Sequence, residues 1–238
     1  KQRKTVNKTL NKPLLIEQIK TMLHMQDDVN KHLIGDNWRE KKHPFYRAIW
    51  TESAELMDHI GWKWWKKQES DMKQARLEIV DIWHFGLSCL LQHSPYLHEN
   101  NDIDSLAQLV ANDIEIYTPE CPTSDFYKTP EAIQTAIESF VEQVVKARNF
   151  HIRSFMHLCS CMDMDMDYIH KLYVGKATLN KFRQDYGYKD GTYQKTWQGL
   201  EDNECLYQIL ENTDYASEDL EQQIYNSLKS RYEADVLN

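Results

Sequence analysis

The chain has 238 residues, of which 41% are apolar, and this is enough for a substantial core in one large domain or two small ones. Its net charge of −9 argues against a nucleic-acid polymer as partner, whereas a small anionic ligand is compatible with it. No apolar run approaches the roughly 18 residues of a membrane span, and the five cysteines show no zinc-ligand spacing. We therefore expect a reduced, cytoplasmic protein without a membrane partner.

The low content of glycine and proline, seven and six residues, predicts long helices with few tight turns. Residues 1–12 are polar and basic and predict a flexible N-terminus, so the folded domain is expected to span 13–238. Apolar residues then recur at helical intervals from Leu14 to Leu33, and Gly35 provides a stop. The domain therefore begins with a long helix.

Two further helices, joined by a short connection, are predicted to form an antiparallel pair. The first spans 44–60 and ends before Gly61. After the segment GWKWWKKQES, Ser70 is a candidate N-cap for the second helix, over 71–93. Apolar residues cover nearly every side of this second helix, which predicts that it lies at the centre of the fold.

Each helix of the pair carries two carboxylates at i, i+3 spacing within an apolar run. Glu52 and Glu55 lie on the first helix, and Glu78 and Asp81 on the second. Ionised carboxylates in such surroundings must meet cations or hydrogen-bond donors, or else shift their pKa. An antiparallel hairpin could bring all four around one point. An oxygen-only ligand set suits Mg²⁺, with Mn²⁺ as a substitute, and these ions also bind substrate phosphates.

A second interpretation of this region is a di-iron centre. The spacing acid-x-x-His occurs in Asp81-x-x-His84 and again in Asp167-x-x-His170, and it is typical of di-iron four-helix bundles. Those proteins use Glu in that motif, and they need no cationic side chains beside the metals. We interpret His84 as a core histidine with satisfied hydrogen bonds.

The rest of the chain is predicted to be helical, without an internal repeat. The expected ranges are 102–117, 130–148, 150–162, 164–186, 202–212 and 217–234. The segment TPECPTSDFYKTP contains three prolines and is predicted to be irregular. The predicted fold is a single all-α domain, a helical bundle whose central antiparallel helices carry the carboxylates.

A basic face is predicted on the helix over 164–186. Lys176, Asn180 and Arg183 are spaced four and three residues apart, so they share one side of the helix. Arg offers a planar fork for phosphate oxygens, and Lys offers a point charge. Lys189 and Lys195 flank a Lys-Asp-Gly turn that can fold back over the same ligand. Such a face either keeps the helix soluble or binds an anion, and the nearby acids favour the second role.

Two further groups of residues suit a nucleobase. Trp62, Trp64 and Trp65 lie in the connection between the paired helices, where they can pack the end of the hairpin or stack on a base. Gln26 and Asn30 lie one turn apart on the first helix and carry the donors and acceptors needed to read the edge of a base.

These residues resemble the dimeric, all-α dUTPase family, which is related to the MazG-like nucleoside triphosphate pyrophosphatases and distinct from the trimeric β-sheet dUTPases. The resemblance covers Gln26 with Asn30 and then, in the order of that family, three blocks. The blocks are TESAELMDHIGWKWWKK, RLEIVDIWHFGLS and YVGKATLNKFRQDYGYKDGTYQKTWQGLEDN. The third block is highly specific.

The resemblance implies a homodimer that hydrolyses dUTP, and dUDP, to dUMP, which keeps uracil out of DNA and supplies dUMP for thymidylate synthesis. It implies Mg²⁺ ions bound by Glu52, Glu55, Glu78 and Asp81. The preferred general base is Glu52, narrowly ahead of Glu55.

The resemblance also assigns the remaining site residues. By similarity the phosphates are held by Lys176, Arg183 and Lys195, with Asn180 near the sugar or phosphate. The implied uracil pocket is lined by Gln26, Asn30, Trp62, Trp65 and Asn203. A close-fitting pocket of this kind excludes the methyl group of thymine and rejects cytosine by its reversed donor and acceptor. Phe85 either crowds a ribose 2'-hydroxyl or belongs to the core.

Three alternatives stay open at this point. The protein could be a MazG-like pyrophosphatase of broader specificity, a di-iron carboxylate bundle, or a helical module that binds a nucleotide without catalysis. Residues 95–165 carry no motif that can be placed and are predicted to form a variable helical insert.

Overall fold

The structure, a computed structural model, describes residues 11–94, 97, 102–118, 128–213 and 219–236. Nine helices have their bounds within this part of the chain: α1 (Lys12–Ile34), α2 (Phe45–Ile60), α3 (Met72–His93), α4 (Ile103–Tyr117), α5 (Pro130–Ala147), α6 (Ile152–Cys161), α7 (Met166–Asp185), α8 (Asp202–Glu211) and α9 (Leu220–Val236). The strands found among the described residues are β1 (Thr196–Trp197) and β2 (Leu200–Glu201). The prediction of an all-α fold is confirmed.

Helix α1 begins slightly earlier than its apolar pattern predicts. The side chain of Asn11 accepts a hydrogen bond from the Leu14 amide and so forms the N-cap of α1. At the other end, the amide of Gly35 donates to the carbonyl of Lys31, with a φ of 113° that favours glycine. Residues 1–10 lie outside the described part of the chain, so their flexibility stays a prediction.

Helices α2 and α3 pack against each other as the predicted hairpin. The predicted Ser70 cap is wrong, because the carboxylate of Asp71 caps α3 by accepting from the amides of Lys73 and Gln74. The Ser70 hydroxyl instead donates to the carbonyl of Ile60 at the end of α2. Both residues hold the connection in place, since the Asp71 amide also donates to the carbonyl of His59. The register of the two helices is thus fixed at the end near the tryptophans.

Helix α3 is central, as its apolar pattern predicts. It contacts α1, α2 and α7, and its buried residues lie on all sides of the helix. Trp83 is fully buried and stacks on Phe155 of α6, with ring centroids 5.2 Å apart. Phe150, which precedes α6, meets the edge of the same tryptophan. The core therefore connects α3 with α6 and with Phe150.

A glycine in α3 allows this close packing. A Cβ atom at Gly86 would lie 2.7 Å from the ring of Phe150. Alanine normally stabilises a helix interior by about 1 kcal/mol over glycine, but overpacking costs about 1–3 kcal/mol. We therefore expect Gly86→Ala to lower the free energy of unfolding by about 1 kcal/mol in urea denaturation. In the Gly86→Ala, Phe150→Leu double variant the two effects should be less than additive. A stabilised Gly86→Ala variant would contradict this packing.

The C-terminal region folds back on α7. Gln198 and Gly199, both with positive φ, form the two-residue turn between β1 and β2. Tyr193 stacks on Tyr232 of α9 with ring centroids 5.5 Å apart, and Phe182 of α7 meets the edges of both rings. Helix α9 therefore holds the turn-rich segment after α7 in place.

Some predictions fall outside the described residues. Most of the segment TPECPTSDFYKTP does so, as do the start of the helix predicted over 217–234 and the cysteine at 121. The four described cysteines carry free thiols and are buried. None of the described helices combines the length and the apolar character needed to cross a membrane. The domain limits and the variability of 95–165 stay predictions.

Candidate active site

Three of the four predicted metal ligands converge between α2 and α3. Glu52, Glu55 and Glu78 each place one carboxylate oxygen within 4.8 Å of the others. The i, i+3 spacing puts the first two on one side of α2, and the antiparallel packing of α3 brings Glu78 opposite them. The cluster follows directly from the hairpin.

The protein does not neutralise this cluster fully. Burial, together with the nearby carboxylates of Asp81 and Glu52, raises the pKa of Glu78 to about 8. Burial likewise raises the pKa of Glu52 to about 7, together with the charges of Asp81 and Glu55. Lys176 opposes both shifts without cancelling them. The cluster therefore takes up a proton, or another cation, at neutral pH.

Asp81 has a different partner. Its carboxylate lies 2.9 Å from the ammonium group of Lys176 on α7. Lys176 is 5% exposed and also donates to the side chain of Asn203 at 3.3 Å. Asp81 acts on the pKa of Glu52 and Glu78, so it lies beside the three-carboxylate cluster. The fourth predicted metal ligand is thus paired with a lysine in this structure.

The predicted basic face is assembled, and an acid that the sequence did not indicate holds it. Arg183 forms a two-pronged ion pair with Asp202, with nitrogen–oxygen distances of 2.8 Å on both prongs. Its Nη1 donates to the side chain of Asn180, and Nη2 reaches Asn203 at 3.5 Å. Asp202 is 2% exposed and also accepts from the hydroxyl of Tyr193. The fork of Arg183 is therefore fixed by Asp202.

Lys189 and Lys195 lie in exposed positions on the turn-rich segment after α7. The ammonium group of Lys195 lies 5.5 Å from the ring centroid of Tyr188. Their roles as phosphate ligands stay predictions.

The residues predicted to bind the base occupy two environments. Gln26 and Asn30 are both 4% exposed and belong to a hydrogen-bond network inside the bundle. Trp62 and Trp65 are 43% and 58% exposed and meet edge to face, with centroids 5.3 Å apart. Phe85 is half-buried and packs against the core. The structure does not gather these residues into one pocket.

Two further residues belong to the site by contact. His59 on α2 lies 3.5 Å from the carboxylate of Glu78. Helical spacing could have indicated it, because it follows Glu52 by seven residues and Glu55 by four. Asp202 could have been indicated only by its place beside Asn203 in the EDN motif.

The prediction that His84 is a satisfied core histidine is half right. The residue is buried, and its Nδ1 lies 2.8 Å from Oε1 of Gln26. Its Nε2 is buried and has no hydrogen-bond partner among the residues that the structure describes. In the second acid-x-x-His motif of the di-iron interpretation, the carboxylate of Asp167 also has a partner within the protein. It accepts a hydrogen bond from the side chain of Gln18.

The chain matches one protein-family model, described as dUTPase, over residues 18–188. The chain belongs to the all-α dUTPase family. No curated protein matches it. Membership in the dUTPase family indicates a hydrolase that acts on dUTP, and hence a nucleotide substrate.

The dUTPase match covers the carboxylate cluster and Asp81 together with the Lys176–Arg183 face. It ends before Lys189, Lys195 and Asn203, so their assignments depend on the sequence motif and on contacts in the structure.

Proposed function

We propose that this dUTPase-family protein hydrolyses dUTP, and also dUDP, to dUMP with Mg²⁺ as its cofactor. The observation that carries this proposal is the convergence of Glu52, Glu55 and Glu78 beside the Asp81–Lys176 ion pair. Such a protein would limit uracil incorporation into DNA and supply dUMP for thymidylate synthesis. We further propose that it acts as a homodimer in the cytoplasm.

The carboxylate cluster fits a hard divalent cation. It offers oxygen ligands only, and two of its groups have pKa values raised to about 7 and about 8 for want of a compensating charge. Glu52, Glu55 and Glu78 would hold Mg²⁺ or Mn²⁺, and Asp81 would join them by releasing Lys176. When bound, the metal neutralises polyphosphate charge and lowers the pKa of a coordinated water.

Glu52 is the proposed general base. Its carboxylate lies in the cluster that would hold the metal and its water, and in the metal-free protein burial raises its pKa to about 7. Its carboxylate takes the proton of the attacking water while the oxygen of that water forms a bond to phosphorus. The bond from that phosphorus to the bridging oxygen breaks, and the electron pair stays on the bridging oxygen, so that dUTP yields dUMP and pyrophosphate, and dUDP yields dUMP and phosphate. Glu55, the neighbour of Glu52 in the cluster, is the alternative base.

The cations of α7 would bind the phosphates. Lys176 exchanges Asp81 for a phosphate oxygen, so a single movement would serve both the metal site and the substrate. Arg183 stays in place through Asp202 and presents its remaining N–H groups to the ligand. Asn180 supports Arg183, and the exposed Lys189 and Lys195 would close over the polyphosphate from outside.

The substrate distinguishes this proposal from its rivals. We expect purified protein with Mg²⁺ to hydrolyse dUTP at least about 100-fold faster, by kcat/KM, than dCTP, because the reversed donor and acceptor of cytosine leave polar groups of the pocket unpaired. The rates with dTTP and UTP should also be lower, because a close-fitting pocket excludes the extra methyl group and the extra hydroxyl by shape. Release of pyrophosphate from the four nucleotides, measured side by side, provides the comparison.

Each rival predicts a different result in the same assay. Equal rates for the four nucleotides would indicate a MazG-like pyrophosphatase of broad specificity. Activity that needs iron, with the absorbance of a di-iron centre, would indicate a carboxylate bundle. Nucleotide binding without turnover would indicate a non-catalytic module. Protein treated with EDTA serves as the control, and Mg²⁺ or Mn²⁺ should restore its activity.

A further inference from the structure

The last helix, α9, contributes a buried tyrosine to the neighbourhood of the proposed phosphate-binding residues. Helix α9 packs against α7, and Tyr232 on α9 is 3% exposed. Aromatic rings surround Tyr232, with centroids 4.9 to 5.5 Å from its own; they belong to Phe182, Tyr186, Tyr193 and Trp197. None of the residues assigned to the site so far lies on α9, so the proposed mechanism leaves this cluster without a role.

Tyr193 connects this aromatic cluster with the polar site. Its ring lies parallel to that of Tyr232, with an angle of 5° between the two planes. The hydroxyl of Tyr232 also accepts a hydrogen bond from the amide of Gln194 at 3.4 Å, so the chain next to Tyr193 is tied to α9 as well. At its other end, Tyr193 donates from its hydroxyl to Oδ2 of Asp202 at 2.9 Å. Tyr193 thus links α9 to a buried carboxylate.

The carboxylate of Asp202 is held in one orientation. The oxygen Oδ2, which accepts from Tyr193, also accepts from Nε of Arg183, and Oδ1 accepts from Nη2 of the same arginine. The backbone amide of Asp202 donates to the carbonyl of Lys195 at 2.8 Å. Burial, together with the charge of Asp202, raises the pKa of Tyr193, so its hydroxyl stays a donor at physiological pH. The inner edge of the Arg183 guanidinium is therefore fixed from the side of α9.

The outer edge of the same guanidinium has weaker partners. Nη1 of Arg183 donates to the side-chain oxygen of Asn180 at 3.1 Å, and Nη2 reaches that of Asn203 at 3.5 Å. Hydrogen bonds to neutral amide oxygens are weaker than those to charged oxygens, so a phosphate can replace both amides while Asp202 keeps the inner edge. Binding then depends on how firmly the inner edge is held, because a ligand meets a preset fork only if the fork does not move.

We propose that Tyr232 is a positioning residue of the phosphate site. From α9 it holds Tyr193 in place, and the hydroxyl of Tyr193 in turn holds Asp202 against Arg183. This inference rests on the proposed function, in which Arg183 binds a phosphate. A tyrosine that only filled the core would affect the free energy of unfolding, whereas a positioning tyrosine also sets the mobility of a guanidinium that it does not touch.

The exchange of the Nε proton of Arg183 with water tests the proposal on the full chain without any ligand. Nitrogen-15 NMR measures this exchange, and Arg183→Lys identifies the signal by its loss. We expect Tyr232→Leu to raise the exchange rate at least about 10-fold, because the contacts that hold Tyr193 against Asp202 are removed. Tyr193→Phe, which keeps the ring and loses the hydroxyl, should raise it about 3- to 10-fold.

Two control variants separate positioning from general loss of stability. Tyr232→Phe keeps the ring contacts and should leave the exchange rate of Arg183 within about 2-fold of the unaltered protein. Phe140→Leu makes a similar truncation in a different aromatic cluster, where Phe140 is fully buried beside Phe150 and Phe155. It should lower the free energy of unfolding in urea and leave the exchange of Arg183 unchanged.

Unchanged exchange of Arg183 in a folded Tyr232→Leu would overturn the proposal, as would an equal rise in Phe140→Leu. Should Tyr232→Leu not fold, Tyr193→Phe decides, and an unchanged rate there would overturn it as well. Calorimetry with a dUTP analogue that has nitrogen between its α and β phosphates then measures the consequence, and Tyr232→Leu should bind the analogue about 10-fold more weakly. Faster exchange with unaltered affinity would retain the positioning of Arg183 and reject its phosphate contact, which belongs to the proposed function alone.

Discussion

We expect Glu52→Gln to lose about 1,000-fold in kcat for dUTP hydrolysis while remaining folded. General-base catalysis typically contributes 10²–10⁴-fold, and glutamine retains the shape of glutamate without a group that can take the proton. Loss of one carboxylate also removes a ligand from the cluster of Glu52, Glu55 and Glu78. Pyrophosphate release under saturating Mg²⁺ and dUTP measures the effect, and circular dichroism measures the fold.

The same substitution on the surface provides the matched control. Glu69→Gln removes an equal charge from a side chain that is 88% exposed and 3.7 Å from Lys67, and it should leave kcat within about 2-fold of the unaltered protein. Glu55→Gln separates the two candidate bases. If Glu55→Gln abolishes turnover and Glu52→Gln retains more than a tenth of it, the assignment of the base reverses.

The fold could be predicted from sequence because its information is local. The apolar spacing of α1 and the continuous apolar surface of α3 each follow from helical periodicity. The i, i+3 pairs of α2 and α3 then converge once the two helices form a hairpin, and this requires only the short connection between them. Boundaries were less predictable, as the Asp71 cap shows, because Ser70 and Asp71 are both good N-caps and tertiary contacts select between them.

The partners of the site residues could not be predicted in the same way. Asp81 looks equivalent to Glu78 in the sequence, but Lys176, which is 95 positions later, pairs with it across the bundle. Arg183 looks available for phosphate until Asp202 is placed opposite its fork. These pairings depend on how α7 and α8 pack, and no periodic pattern encodes that packing.

The amide residues of α1 show the same limit at the level of single hydrogen bonds. Gln26 and Asn30 carry the groups that a base edge requires, yet α3 and α7 supply His84, Ser88 and Tyr173 as their partners. A sequence gives the number of donors and acceptors of a side chain. Which of them are already used is a property of the assembled core.

The metal-free protein should lose stability as the pH rises from about 5 to 8.5. The pKa of Glu78 is raised from an ordinary value of 4.5 to about 8 in the folded state, so between these values the folded chain binds more protons than the unfolded chain. Stability therefore falls with pH through this window and levels off above it. Each unit of pKa shift corresponds to about 1.4 kcal/mol. Because the neighbouring carboxylates titrate together with Glu78, we expect the free energy of unfolding to fall by about 3 kcal/mol across this pH window.

Mg²⁺ should reverse the sign of this dependence, because the ion binds the deprotonated carboxylates of the folded state. Denaturant midpoints at pH 5.5 and 8.5, in EDTA and in excess Mg²⁺, measure both effects. Glu78→Gln separates the cluster from every other titrating group: in EDTA at pH 8.5 it should be more stable than the unaltered protein, and it should gain less from Mg²⁺. The opposite result would be an unaltered protein that is more stable in EDTA at pH 8.5 than at pH 5.5, with the same pH dependence of stability in Glu78→Gln. In that case the protein itself would already neutralise the three carboxylates, and they would have no need of a metal.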